Sequence, residues 1–145
     1  MAAVPILEKN IHQTMTWIYA IEEECNWEED NQKAAFAALR AVLHELRDLL
    51  PLENAIHLSA QLPLIIRGIF FENWSTRAEK FKIRKKEDLL VAVADELFPY
   101  PDIDPEAAVK GVITVLQDKI SDGEWNKIMS VLPRDLRVLF VKVTI

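Results

Sequence analysis

From Phe36 the large apolar residues recur at Leu39, Leu43, Leu46 and Leu50, with Ala35, Ala38, Val42 and Leu49 beside them. This is helical spacing with a wide apolar stripe. Arg40, His44, Glu45, Arg47 and Asp48 fall between, on the polar side. No Gly or Pro interrupts the segment, so intrinsic propensity agrees with the pattern. Asn26, followed three residues later by Glu29, has the form of a capping box and predicts a start near residue 27. Pro51 predicts the end, because the residue before a proline is pushed out of the helical region. Pro51 and Pro63 then each open a further helix, since a first-turn proline forfeits no intrahelical bond. The helix over 52–61 should bury Ala55, Ile56 and Leu58. The one over 63–73 is apolar on nearly every side except at Arg67, which predicts a central buried helix.

The same pattern recurs near the C-terminus. Shifted by 70 residues, the first stretch aligns without a gap on Ala107–Phe140. Leu39 meets Val109, Val42 meets Val112, Leu43 meets Ile113 and Leu46 meets Leu116. Asp48 meets Asp118, Leu62-Pro63 meets Leu132-Pro133, Arg67 meets Arg137 and Phe70 meets Phe140. A duplication is the economical reading of a fixed-period match of this length.

The stretches LRAVLHELRDLLP, AQLPLIIRGIFFENW and VLQDKISDGEWNKIMSVLPRDLRVLF resemble the bacterial family known as domain of unknown function 2267. The resemblance covers roughly residues 14 to 140. It implies an all-helical bacterial domain and carries over no activity, substrate or catalytic residue.

The remaining segments complete an all-α architecture. A helix over about 5–24 has Ile11, Met15, Trp17, Ile18 and Ile21 on its apolar side. Residues 85–98 match it, with Leu89, Leu90, Val93 and Leu97 inward. Asp104 caps a helix over 105–120 whose first residue is Pro105, Ser121 and Glu124 form a capping box for a helix to about 131, and Pro133 opens the last, to about 141. The tail VKVTI alternates as an extended segment does. The expectation is one domain of two tandem four-helix repeats, about 5–74 and 85–142, joined by a basic linker at 75–84. They should share one core around helices 63–73 and 133–141.

Composition narrows the function classes. One cysteine, Cys25, rules out an internal disulfide and fits a reducing compartment. No segment approaches the roughly 18 apolar residues of a membrane-spanning helix, and the N-terminus lacks the apolar core of a signal peptide. A cytoplasmic location is expected by default. The net charge of −6 argues against nucleic acid, whose phosphates call for a basic footprint. Charge is also unevenly spread. Residues 22–30 hold six acids and no base, whereas 77–86 hold six bases and one acid.

Few residues nominate themselves as a site. Arg40, His44 and Arg47 share one helix face, which suits an oxyanion. The structural alternative is a solvated face paired locally with Glu45 and Asp48. The second copy has Lys110, Thr114 and Gln117 there, so the fold does not require the trio. His12, His44 and His57 lie at no ligand spacing and have no cysteine partner, so no metal is predicted. Cys25 sits among Glu22, Glu23, Glu24 and Glu28, which suppress a thiolate. Trp74, beside the basic linker with Arg77, Lys80 and Phe81, has the makings of a partner hot spot. Arg67 and Arg137 interrupt apolar helices at equivalent places and need partners; Asp48 and Asp118 are the equivalent acids, so the pairs Arg67–Asp48 and Arg137–Asp118 are predicted.

The reading that follows is a non-catalytic interaction or regulatory module that binds another protein or itself. It has no cofactor, no nucleic-acid partner and no membrane insertion. The alternative is a small-molecule-binding protein or enzyme with an anion pocket between the repeats, near Arg40, His44 and Arg67.

Overall fold

A computed structural model describes residues 4–27, 31–75 and 83–141. Among these the regular elements are eight helices, and the fold is all-α. They are α1 (Pro5–Glu24), α2 (Gln32–Leu49), α3 (Leu52–Ser59), α4 (Leu64–Phe70), α5 (Lys86–Glu96), α6 (Pro105–Lys119), α7 (Asp122–Val131) and α8 (Arg134–Phe140). The tail at 142–145 and most of the 75–84 linker lie outside the described residues.

The prolines set the breaks as the sequence implies. Pro51, Pro63 and Pro133 each stand immediately before α3, α4 and α8 as their N-caps. Asp104 caps α6 by accepting from the Ala107 N–H. The start of α7 departs from the reciprocal box. Ser121 Oγ accepts from the Glu124 N–H at 3.2 Å, but the Ser121 N–H donates to Gln61 Oε1 at 2.9 Å, so the returning bond comes from the loop after α3.

The start of α2 is a correction. Asn26 does not cap it. It stands at φ 54° in the left-handed region, its N–H bonds the Glu23 carbonyl and the Trp27 N–H bonds the Glu22 carbonyl, both at 3.1 Å. That geometry closes α1, and asparagine suits it nearly as well as an N-cap. Glu29 lies outside the described residues. Helix α2 begins at Gln32 instead, where the buried Glu22 carboxylate accepts from the Asn31 N–H (2.9 Å) and the Gln32 side-chain amide (3.2 Å). An acid of α1 thus meets the positive end of α2.

Shifted by 70 residues, α2 and α6 end together, α3 and α7 begin together, and α4 falls on α8 residue for residue. Helix α1 packs on α2, α4 and α6, while α5 packs on α6, α8 and α2, so exchanging the halves turns one set into the other. Pairs α2–α6 and α3–α7 join the halves across the middle. One hydrophobic cluster takes Leu39, Leu43, Leu46, Ile66 and Phe70 from the first half and Val109, Ile113, Leu116, Leu136 and Phe140 from the second.

The centre of the molecule is therefore α2 with α6, not the helices at 63–73 and 133–141 as predicted. Helix α4 is only seven residues long; it buries Ile66, Ile69 and Phe70 and leaves Leu64 in solvent. Ile56 on α3 and Ile11 on α1, both expected inward, are also exposed. A short helix lies over the core edge and covers only the side chains of one face. Among the described residues no helix is long and apolar enough to cross a membrane.

Candidate functional site

The stripe Arg40, His44 and Arg47 of α2 meets the C-terminal end of α4. Helix ends leave carbonyls without intrahelical donors and carry partial negative charge. His44 Nε2 donates to the Ile69 carbonyl at 2.7 Å. Arg47 Nη1 donates to the Phe70 and Glu72 carbonyls at 3.0 and 2.7 Å, and its Nε to Asp48 at 2.9 Å. Arg40 pairs with the Glu72 carboxylate at 2.9 Å. The trio is thus neither a bare anion site nor a solvated face; of the local pairs expected, Arg47–Asp48 forms. In the second half Gln117 takes the place of Arg47 and donates to the Phe140 carbonyl at 2.8 Å, joined by Trp125 Nε1 at 3.1 Å. Both halves fasten their last helix to their long one by the same carbonyl.

The predicted arginine–aspartate pairs do not form. Arg67 donates to the Ser59 and Leu62 carbonyls at 2.9 and 3.1 Å. Arg137 donates to the Leu132 and Ser130 carbonyls at 3.1 and 3.4 Å. Each guanidinium reaches back to carbonyls at or just past the end of the preceding short helix. Asp48 is held by Arg47, and Asp118 lies nearest Lys119, at 3.9 Å.

A groove of about 710 Å³ opens between the halves. Its α2 side carries Lys33, Phe36, Arg40 and His44; its other side carries Glu96, Pro99 and Tyr100. Arg40 keeps 44% of its side chain open beside its bond to Glu72. Lys33 has no ionic partner among the described residues. Arg67, expected near such a pocket, does not line it. Burial pushes the His44 imidazole below its usual value, with Arg47 and Arg40 adding to the effect against the Ile69 bond and Glu72. The ring is therefore neutral near pH 7, Nε2 carries its proton and Nδ1 is an acceptor.

Beside the groove two carboxyls meet. Glu96 shares a hydrogen bond with Glu45 of α2, and burial, that bond and the Glu45 charge push Glu96 up to about 8, against Arg40 and Arg47. Glu45 moves up as well, first by burial and then by Asp48, against Glu96's hydrogen bond and Arg47. Two acids in contact hold one proton between them. Sequence reasoning missed this pair, along with Lys33, Phe36 and Tyr100. Glu45 reads as one more wet-side acid, and no periodicity joins it to Glu96 on a distant helix.

Trp74 is half-buried, with its ring 5.1 Å from that of Phe71. Its indole N–H is buried with no partner among the described residues. Arg77, Lys80 and Phe81, expected beside it, lie outside the described residues. The Cys25 thiol is pushed up to about 11 by burial and by Glu24, which disfavours the thiolate, and its sulfur faces the Ala107 carbonyl. Among the described residues no three His, Cys, Asp or Glu side chains cluster as a metal site would.

An uncovered apolar stripe lies on the first turns of α1. Val4, Leu7 and Ile11 continue the spacing by which Thr14, Ile18 and Ile21 face the core, yet they stand 59%, 47% and 54% exposed. Ile6 beside them is exposed too, and only Asn10 is buried, capping α4 through the Leu64 N–H. The equivalent helix α5 begins at Lys86 among the described residues.

The profile of the family described as uncharacterized conserved protein DUF2267 matches residues 14–139. The chain belongs to this family. The DUF2267 match takes in helices α2 to α7 entire and the core-facing part of α1, and leaves the exposed first turns of α1 outside it. No curated protein matches the chain.

Proposed function

We propose that this DUF2267 chain is a non-catalytic interaction module that associates with a second copy through the first turns of α1. The observation that carries the reading is the apolar seam of α1, on which Val4, Leu7 and Ile11 stand uncovered. Contiguous exposed aliphatic residues of this kind mark association surfaces in soluble proteins. Charge favours a second copy as occupant. The chain is acidic overall, but these turns carry one acid and one lysine, Glu8 and Lys9. Two copies meet there with little mutual repulsion. In an antiparallel pairing the acids Glu22, Glu23 and Glu24 at the far end of a helix about 30 Å long point away from each other. A two-fold contact needs only one such patch on each copy.

The same charge balance supports a protein partner over nucleic acid. The lone thiol supports the cytoplasm as its location, in a bacterial cell as the family resemblance implies. Hydrogen–deuterium exchange at low and high protein concentration tests the surface. Amides of residues 5–13 are expected to gain protection with concentration while α6 stays unchanged. Equal exchange at both concentrations contradicts the reading.

A further inference from the structure

We propose that the groove between the two halves binds a small planar carboxylate, with its flat body against Phe36, Pro99 and Tyr100 and its anionic end on Lys33 and Arg40. This goes beyond the association reading and uses a different surface. The volume, about 710 Å³, lies in the range of small-molecule sites, which are mostly apolar with a few placed polar groups. Lys33, Phe36, Arg40 and His44 come to one side because α2 spaces them along a single face. The other side is supplied by the end of α5 and the turn after it.

The charges present select a monoanion. Arg40 is shared with Glu72 and Lys33 is unpaired among the described residues, so these cations leave about one positive charge for a ligand, before the Glu45–Glu96 pair is counted. Both are good carboxylate donors, Arg40 through N–H groups it does not spend on Glu72. An aromatic ring on each side, with a proline ring, favours a flat apolar body over an inorganic ion. The neutral His44 can accept a hydrogen bond at Nδ1, which suits a ligand that also carries a hydroxyl or N–H.

Glu96 sets the pH range. Its carboxyl faces Glu45, Arg40 and Arg47 of α2, with His44 and Lys33 lining the same groove. Helices α6 and α8, also packed on α5, place Glu106, Lys110 and Asp135 around Lys86 at its opposite end. While Glu45 and Glu96 share a proton they set one negative charge beside the two cations; once both are ionised the second charge opposes the ligand.

Calorimetric titration of the full chain with benzoate and 2-naphthoate tests the proposal, with the two carboxamides and inorganic phosphate as competitors in kind. One saturable site for at least one carboxylate is expected, with its carboxamide at least about tenfold weaker, as loss of a charged contact implies. Lys33→Gln, at an exposed residue whose change leaves the fold intact, and Arg40→Gln should each weaken binding about tenfold; Lys119→Gln on α6 should not alter it. Affinity should fall between about pH 7 and pH 9 in the wild type and hold in Glu96→Gln. No saturable carboxylate binding, equal binding of the carboxamides, phosphate binding as tightly as the aromatic acids, or affinity unmoved by Lys33→Gln would each overturn it.

Discussion

A Cβ built on Gly111 would run into the sulfur of Cys25, so α6 presents bare backbone where the end of α1 crosses it. Gly111→Ala sets two effects against each other. Alanine favours the helix by about 1 kcal/mol over glycine, while overpacking costs about 1–3 kcal/mol. In the wild type the variant should lose stability in chemical denaturation. On a Cys25→Ala background the obstruction is gone, and the same change should become stabilising. A stabilising Gly111→Ala in the wild type would show that Cys25 simply turns aside. Glu96 offers a second residue-scale test. Its carboxyl rises from 4.5 to about 8 on folding. The folded state therefore holds a proton that the unfolded state has released over this range. The associated stability is fully present below about pH 4.5 and is lost as pH rises through about 8. Urea midpoints should fall between about pH 5 and pH 9, and fall less in Glu96→Gln. A flat wild-type profile would mean that the two carboxyls do not share a proton.

At the scale of elements, the breaks were legible because prolines make them. Pro51, Pro63, Pro105 and Pro133 locate four helix starts within one residue. What periodicity could not show was which face a short helix turns to the core. Ile56, Leu64 and Ile11 all fit an apolar stripe and all ended in solvent, because α3, α4 and the start of α1 lie at the edge of the cluster. Partners across elements were equally hidden. Arg67 and Asp48 were matched by position in the repeat, yet the guanidinium bonds the open carbonyls of Ser59 and Leu62 at the end of the preceding helix. Arg47 and Gln117 occupy equivalent places and hold equivalent carbonyls, at Phe70 and Phe140. Arg47→Met leaves the Phe70 and Glu72 carbonyls without these donors, and each buried group stranded costs about 1–3 kcal/mol. Gln117→Met strands less, because Trp125 still bonds the Phe140 carbonyl. Differential scanning calorimetry should rank Arg47→Met below Gln117→Met in melting temperature. The reverse order would show that the fastening is not made by these bonds.

At the scale of the whole molecule, among the described residues the two halves exchange their helix contacts, and the first turns of α1 stand exposed. The prolines that recur at a shift of 70 residues stand before α4 and α8, whose bounds coincide at that shift. The groove was not visible, since its two sides come from α2 and from the turn after α5, and proximity there arises only on folding. The exposed start of α1 was disguised for another reason. Its spacing is that of a buried stripe, and only the extent of the body behind it decides that Val4, Leu7 and Ile11 remain open. Sedimentation equilibrium over a wide concentration range tests the central claim most directly. The wild type should show a reversible monomer–dimer equilibrium, and Leu7→Lys/Ile11→Lys should remain monomeric with unchanged helical circular dichroism. Lysine is chosen so that the loss cannot be ascribed to further negative charge on an acidic chain. A wild type that stays monomeric throughout, or a dimer that survives the double substitution, would contradict association through α1.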